Sequence, residues 1–146
     1  KSQITGDTIL IKQRDSNKVE WLYVPNNAHM VSLAGPDAAG LYDQVQGKTL
    51  RANFNDSTIT DMLVEPDAES IYYSKDEGGA YLGVDKANGE RMFIFFGEDK
   101  IKRIRYERDV THTMTPMDKA NFDDMKLSRF KWRDEERPKT KEELFE

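Results

Sequence analysis

The 146-residue sequence contains no cysteine, which excludes disulfides, thiolate metal sites and thiol nucleophiles. It has only two histidines, His29 and His112, little for a structural metal site that wants four ligands. No apolar run approaches the roughly 18 residues of a transmembrane helix. Positive charge is in deficit, with 22 Lys and Arg against 27 Asp and Glu and a net charge of −5. That balance predicts no face of uniform positive potential and argues against a nucleic-acid binder. Apolar residues are also scarce. At 37% hydrophobic and 34% charged, the chain departs from the usual pattern toward a thin, well-solvated body. The length fits one ordinary domain, and regularly spaced runs of Val, Ile, Tyr, Phe and Trp separate it from disordered compositions.

What is present is a repeat. Gly6, Gly47 and Gly89 each open a similar unit, 41 and 42 residues apart. Each unit begins with an alternating strand: Ile9 and Ile11; Leu50, Ala52 and Phe54; Met92, Ile94 and Phe96. Polar turns follow at Asp15-Ser16-Asn17-Lys18, Asn55-Asp56-Ser57-Thr58 and Gly97-Glu98-Asp99-Lys100. A second strand then carries Val19, Leu22 and Val24; Ile59, Met62 and Val64; Ile101, Ile104 and Tyr106. The first two apolar positions of each set are three residues apart, which would place them on opposite faces of a strict strand. A bulge or corner is expected there.

Each hairpin is followed by another extended segment, at His29–Leu33, Glu69–Tyr73 and, more weakly, Thr111–Met114. Lead-ins at Leu41–Val45 and Tyr81–Ala87 return the chain to the next glycine, and Ile4 occupies the Val45 position. The sequence therefore opens inside a repeat, which predicts a piece cut from a longer chain or an N-terminal end without a cap. Lys75-Asp76-Glu77-Gly78-Gly79 and Gly35-Pro36-Asp37 read as turns. No helix pattern or Lys-Ser/Thr pair follows the glycine pair, so a phosphate loop is not supported. A period near 42 with several short strands per unit means stacked layers of sheet. Fewer than three full repeats are too few for a propeller. The repeat stops after Met117. Beyond it, Asp118–Leu127 has helix-like spacing with Asp118 as an N-cap. Phe130 to Arg133 and the charged tail DEERPKTKEELFE then either pack on the last layer or hang free.

The segments YDQVQGKTLRANFNDSTITDMLVE, YYSKDEGGAYLGVDKA and FKWRDEERPK resemble the OstA/LptA-like proteins of lipopolysaccharide transport, in particular the OstA-like branch. The resemblance runs from about Gly40 to Pro138. It implies an all-β, open-ended jellyroll folded like a taco, whose greasy groove shields lipid A acyl chains. It also implies edge-strand stacking with other β-jellyroll transport proteins, and a periplasmic or outer-membrane-associated location.

On that reading residues 1–117 form the repeat domain and residues 118–146 a terminal capping segment with a charged tail. The groove candidates are Leu50, Ala52, Phe54, Met62, Val64, Met92, Ile94, Phe96, Ile104 and Tyr106, since methionine and aromatics adapt to flexible apolar ligands. The same alternation also describes an ordinary closed β core. Lys102, Arg103 and Arg105 are candidates for contact with lipid phosphates or an acidic partner; the competing reading is a solvated edge that discourages aggregation. Alternation places Lys102 on the face of Ile104 and Tyr106, opposite Arg103 and Arg105. Neither histidine lies near a Ser or Asp in a nucleophile motif, and Asp123-Asp124 and Glu135-Glu136 are adjacent pairs that point apart. The expected protein is a non-enzymatic lipid-binding bridge without metal or cofactor, and self-association is expected through the N-terminal edge. A structural stacking scaffold that holds no lipid is the alternative, and an enzyme acting on carbohydrate or another small substrate comes third.

Overall fold

The computed structural model describes residues 2–14, 18–35, 40–98, 100–128 and 130. The turn assigned to Asp15-Ser16-Asn17, the Pro36-Asp37 turn, Trp132 and the charged tail lie outside the described residues. The protein is all-β, with twelve strands among the described residues. They are β1 (Ser2–Thr5), β2 (Leu10–Arg14), β3 (Lys18–Val24), β4 (Ala28–Leu33), β5 (Tyr42–Gly47) and β6 (Thr49–Asn55). The series continues with β7 (Thr58–Glu65), β8 (Ala68–Lys75), β9 (Tyr81–Gly89), β10 (Arg91–Gly97), β11 (Lys100–Glu107) and β12 (Thr111–Pro116). Sheet I has the order β1-β4-β5-β8-β9-β12, and sheet II the order β11-β10-β7-β6-β3-β2. Every pairing is antiparallel.

The chain alternates between the sheets in pairs of strands. All six crossings lie at one end of the strands and form a spine, while the hairpin tips lie at the other end and form a mouth. The repeated glycines are spine corners. At each, the residue after the glycine donates its backbone N–H across the corner: Asp7 to Asn26 O (3.2 Å), Lys48 to Pro66 O (3.2 Å) and Glu90 to Arg108 O (3.0 Å). The repeat in sequence is thus a repeat of one hydrogen-bonded corner.

Small residues on sheet I let the sheets converge at this spine. Ala28, Gly47, Ala68 and Gly89 stand there, facing the sheet II layer of Val24, Leu50, Val64 and Met92. A Cβ on Gly47 would lie 2.4 Å from Val64 Cγ1 and 3.3 Å from Pro66 O, whereas one on Gly89 would meet nothing closer than 3.5 Å. Gly47→Ala should therefore destabilise the domain by about 1–3 kcal/mol through overpacking. Gly89→Ala, at an equivalent corner, should cost less than about 1 kcal/mol. Urea-unfolding midpoints of the two variants check this, and equal losses would refute the packing argument.

The three bulges expected from the three-residue offsets are present. Register shifts fall at Lys12/Gln13, Asn53/Phe54 and Phe95/Phe96, opposite Glu20, Thr60 and Lys102, which have no ladder partner. Each bulge restores the inward direction of Val19, Ile59 and Ile101 after two outward residues. The helix expected over Asp118–Leu127 does not form. Two 3-10 turns, Met117–Lys119 and Phe122–Asp124, replace it, and Asp118 sits inside the first turn instead of capping it. The reason is packing on a sheet surface. Met117, Ala120, Met125 and Leu127 reach into the outer-face cluster of Ala34, Leu41, Ile71, Tyr73 and Val84 on sheet I. The Gln44 side chain holds the backbone there, donating to Met125 O (2.9 Å) and accepting from Leu127 N–H (2.8 Å). Phe130 stacks on Tyr42, with ring centroids 5.1 Å apart. The described C-terminal segment thus lies over the outer face of sheet I, and residues 131–133 of the segment expected to cover the last layer lie outside the described residues.

Candidate functional site

Inside the wedge, sheet II carries three apolar layers between spine and mouth. The first is Val24, Leu50, Val64, Met92 and Tyr106; the second includes Leu22, Ala52, Met62, Ile94 and Ile104. The third, at the mouth, is Val19, Phe54, Ile59, Phe96 and Ile101. On the central strands β6, β7 and β10 the first two layers are at most 1% exposed. Phe54, Ile59 and Phe96 on those same central strands are only half-buried. Edge position cannot explain this, because the strands are central. The interior is dry toward the spine, and in the mouth layer Phe54, Ile59 and Phe96 are half-buried while Val19 and Ile101 remain buried at 8% exposure.

The ten groove candidates divide along this gradient. Leu50, Ala52, Met62, Val64, Met92 and Ile94 are closed core. Phe54 and Phe96 line the mouth. Ile104 and Tyr106 are half-buried because β11 is the last strand of sheet II. The opposite lip, on sheet I, is polar: Ser32, Asp43, Tyr72 and Asp85 occupy its inward positions. Alternation in the lead-in segments left this lip unremarked, although Asp43 and Asp85 stand two residues before the inward Val45 and Ala87.

Asp43 is the buried charge of this lip. The β5–β8 ladder runs from Gln46↔Glu69 to Gln44↔Ile71. One residue further, the Asp43 carboxylate accepts the Tyr73 N–H at 2.9 Å. Burial pushes its pKa up to about 7, against the opposing pull of that N–H and of the Lys75 ammonium. Beside it, Tyr81 donates its hydroxyl to Ala34 O at 2.8 Å, tying the two hairpins of sheet I together. Across the mouth, Tyr72 donates to Ile101 O at 3.4 Å, a polar tie between the lips.

At the C-terminal end of the interior a second polar group assembles. His112 Nδ1 lies 3.1 Å from Asp85 Oδ2, its ring packs edge-on against Tyr106 at 4.6 Å, and the Tyr106 hydroxyl is 3.2 Å from Ser70 Oγ. Burial raises the Tyr106 pKa, with the Ser70 hydrogen bond opposing and the Asp85 charge adding. No nucleophile motif joins His112 to Asp85 along the sequence; the pairing of β9 with β12, which sets Ala87 opposite His112, brings them together. Asp85 can orient the imidazole through Nδ1. The buried Ser70 hydroxyl is held by Tyr106 instead. His29 is buried, at 2% exposure, and lies on the other face of sheet I.

Of the basic candidates, Arg103 and Arg105 lie on the face expected for them and Lys102 does not. Lys102 is the bulge residue, and its stem lies against Gly97, on the outer face with Arg103 and Arg105. The bulge breaks the alternation that had put Lys102 beside Ile104. None of the three faces the interior. Along the outside of the spine run two polar clefts of about 340 Å³ each, one lined by Asn26, Gln46, Lys48 and Asp67, the next by Asp67, Glu69, Glu90 and Asp109. Among the described residues no group of three or more His, Asp or Glu side chains is placed to hold a metal. Comparison with known proteins finds no matching family model, no matching curated protein and no matching solved structure.

Proposed function

We propose that this domain is a non-enzymatic lipid-binding bridge, of the kind that passes lipopolysaccharide between membranes, working in the periplasm or at the outer membrane. The observation that supports it most is the half-exposure of Phe54, Ile59 and Phe96 on central strands. Acyl chains laid on this lip would bury apolar surface that the fold leaves wet, at about 25 cal/mol per Å². The half-buried Tyr72 of the polar lip then meets the ligand's polar region or water, with Ser32 and Asp43 buried behind it. The filled layers behind the mouth limit entry to shallow seating, so Leu50, Met62 and Met92 shape the floor without touching ligand.

A second reading is a stacking scaffold that holds no lipid. It is favoured by the edges: among the described residues β1, β2, β11 and β12 each pair on one side only, leaving unpaired backbone groups at both ends. Mass spectrometry of lipids extracted from freshly purified protein separates the readings. Co-purifying acylated lipid, displaced by a competing fatty-acyl probe, is the expected result. Protein free of lipid that also excludes the probe would leave only the scaffold.

A further inference from the structure

The outer face of sheet II, opposite the interior, is built as a surface of its own. One row crosses five strands as Tyr23, Arg51, Leu63, Phe93 and Arg105. Guanidinium groups lie over rings throughout: Arg103 over Phe95 and Arg105 over Phe93, both at 4.5 Å, and Arg51 over Trp21 at 5.4 Å. The six strands of this sheet hold nine Lys or Arg against four Asp or Glu. Their surplus of five positive charges stands in a chain whose net charge is −5. Overall composition concealed this local surplus: the strands of sheet I hold three Asp or Glu against two Lys or Arg, so the compensating negative charge lies outside the strands.

Packing places the nine cations on the outside. Eight are exposed and Arg91 is half-buried. Glu20, Asp56, Glu65 and Glu107 neutralise several of them. Among the described residues Arg51, Lys102 and Arg103 have no carboxylate partner. Aliphatic side chains continue the same plane, with Leu10 49% exposed at the rim. Cations alone would suit any polyanion. Trp, Tyr, Phe and Leu mixed with Arg and Lys on one flat face suit a water–lipid boundary, where amphipathic rings sit at headgroup depth and cations meet lipid phosphates.

We infer that the outer face of sheet II docks flat on a bilayer surface rich in anionic lipid. The site is separate from the mouth, because inward and outward residues alternate along the same strands. Docking this way presents one side of the wedge to the membrane and leaves the mouth to the side.

The test uses the full chain with Trp132→Phe, which leaves Trp21 as the single indole. Phosphatidylglycerol vesicles at low salt should bind it and shift Trp21 fluorescence to the blue, whereas phosphatidylcholine vesicles should not. Raising salt to about 0.5 M, where screening falls to roughly 4 Å, should release it. Arg51→Gln with Arg103→Gln, both exposed, should weaken vesicle binding by about tenfold or more while leaving the unfolding midpoint within error. Failure to bind phosphatidylglycerol vesicles at low salt overturns the inference. Equal binding to phosphatidylcholine overturns it in favour of acyl uptake at the mouth. Equal affinity for polyglutamate or a single-stranded oligonucleotide overturns it in favour of a general polyanion surface.

Discussion

Ile94→Asp should abolish folding, whereas Phe96→Asp, two residues along the same inward face of β10, should fold and lose acyl-chain binding. Ile94 is fully buried between Met62 on β7 and Ile104 on β11. It lies 0% exposed within the apolar core cluster, so an aspartate there is an unpaired buried charge. The loss exceeds about 4 kcal/mol, a large share of the roughly 5–15 kcal/mol that holds a domain together. Phe96 stands one layer nearer the mouth and is half-exposed, so its carboxylate keeps contact with water. Losing the half-buried ring costs about 1–2 kcal/mol. Far-ultraviolet circular dichroism and urea titration of both variants, with a fluorescent acyl probe on Phe96→Asp, check the pair. Complete unfolding of Phe96→Asp would mean that the mouth is closed core. Undiminished probe binding by a folded Phe96→Asp would move the ligand elsewhere.

Much of this architecture was legible in the sequence, because it rests on local rules. The spacing of Gly6, Gly47 and Gly89 marked the repeat, and the structure shows why glycine recurs there: a side chain at Gly6 or Gly47 would collide with Val24 or Val64. The three-residue offsets announced the bulges at Glu20, Thr60 and Lys102. What stayed hidden depends on contacts between distant segments. Phe93 and Phe95 alternate with Met92, Ile94 and Phe96 in a nearly continuous apolar run, so periodicity could not assign a solvent face. Arg103 and Arg105, ten residues later, cover those rings and make that face outward. The Asp85–His112 contact spans 27 residues and depends on strand pairing alone. The helix-like spacing of Phe122 and Met125 was misleading because two apolar positions three apart also suit irregular chain pressed on a sheet. Gln44, whose amide supplies both hydrogen bonds to that chain, looks like an ordinary polar strand residue.

The second large effect is a stability that falls as pH rises through neutrality. Asp43 has a pKa near 7 in the folded protein, against an ordinary value of 3.8 in the unfolded chain. Between those values the folded state holds a proton that the unfolded state has released, so each rise in pH favours unfolding. The stabilising contribution is complete below about pH 4, declines from there, and is gone once pH passes about 7. The full span corresponds to about 4 kcal/mol, and the portion between about pH 5 and pH 8 to about 3 kcal/mol. Tyr72, Tyr73 and Tyr81 surround the carboxylate and are themselves held above the usual phenol range by burial first and by the Asp43 charge second, so they stay neutral throughout. The Lys75 ammonium pulls the Asp43 pKa the other way and also sits over the Tyr81 ring at 5.0 Å. Asp43→Asn keeps an oxygen for the Tyr73 N–H and removes the titration. Urea midpoints at about pH 5 and pH 8 should differ strongly for the native chain and little for Asp43→Asn, which should be the more stable of the two at pH 8. Parallel pH profiles for the two proteins would show that Asp43 is not the titrating group. Because Asp43 binds β5 to β8 where their ladder stops, its ionisation strains the lip of the mouth before the spine. Acyl-probe affinity should therefore fall over the same pH interval, with the dry layers at Leu50 and Met62 still intact.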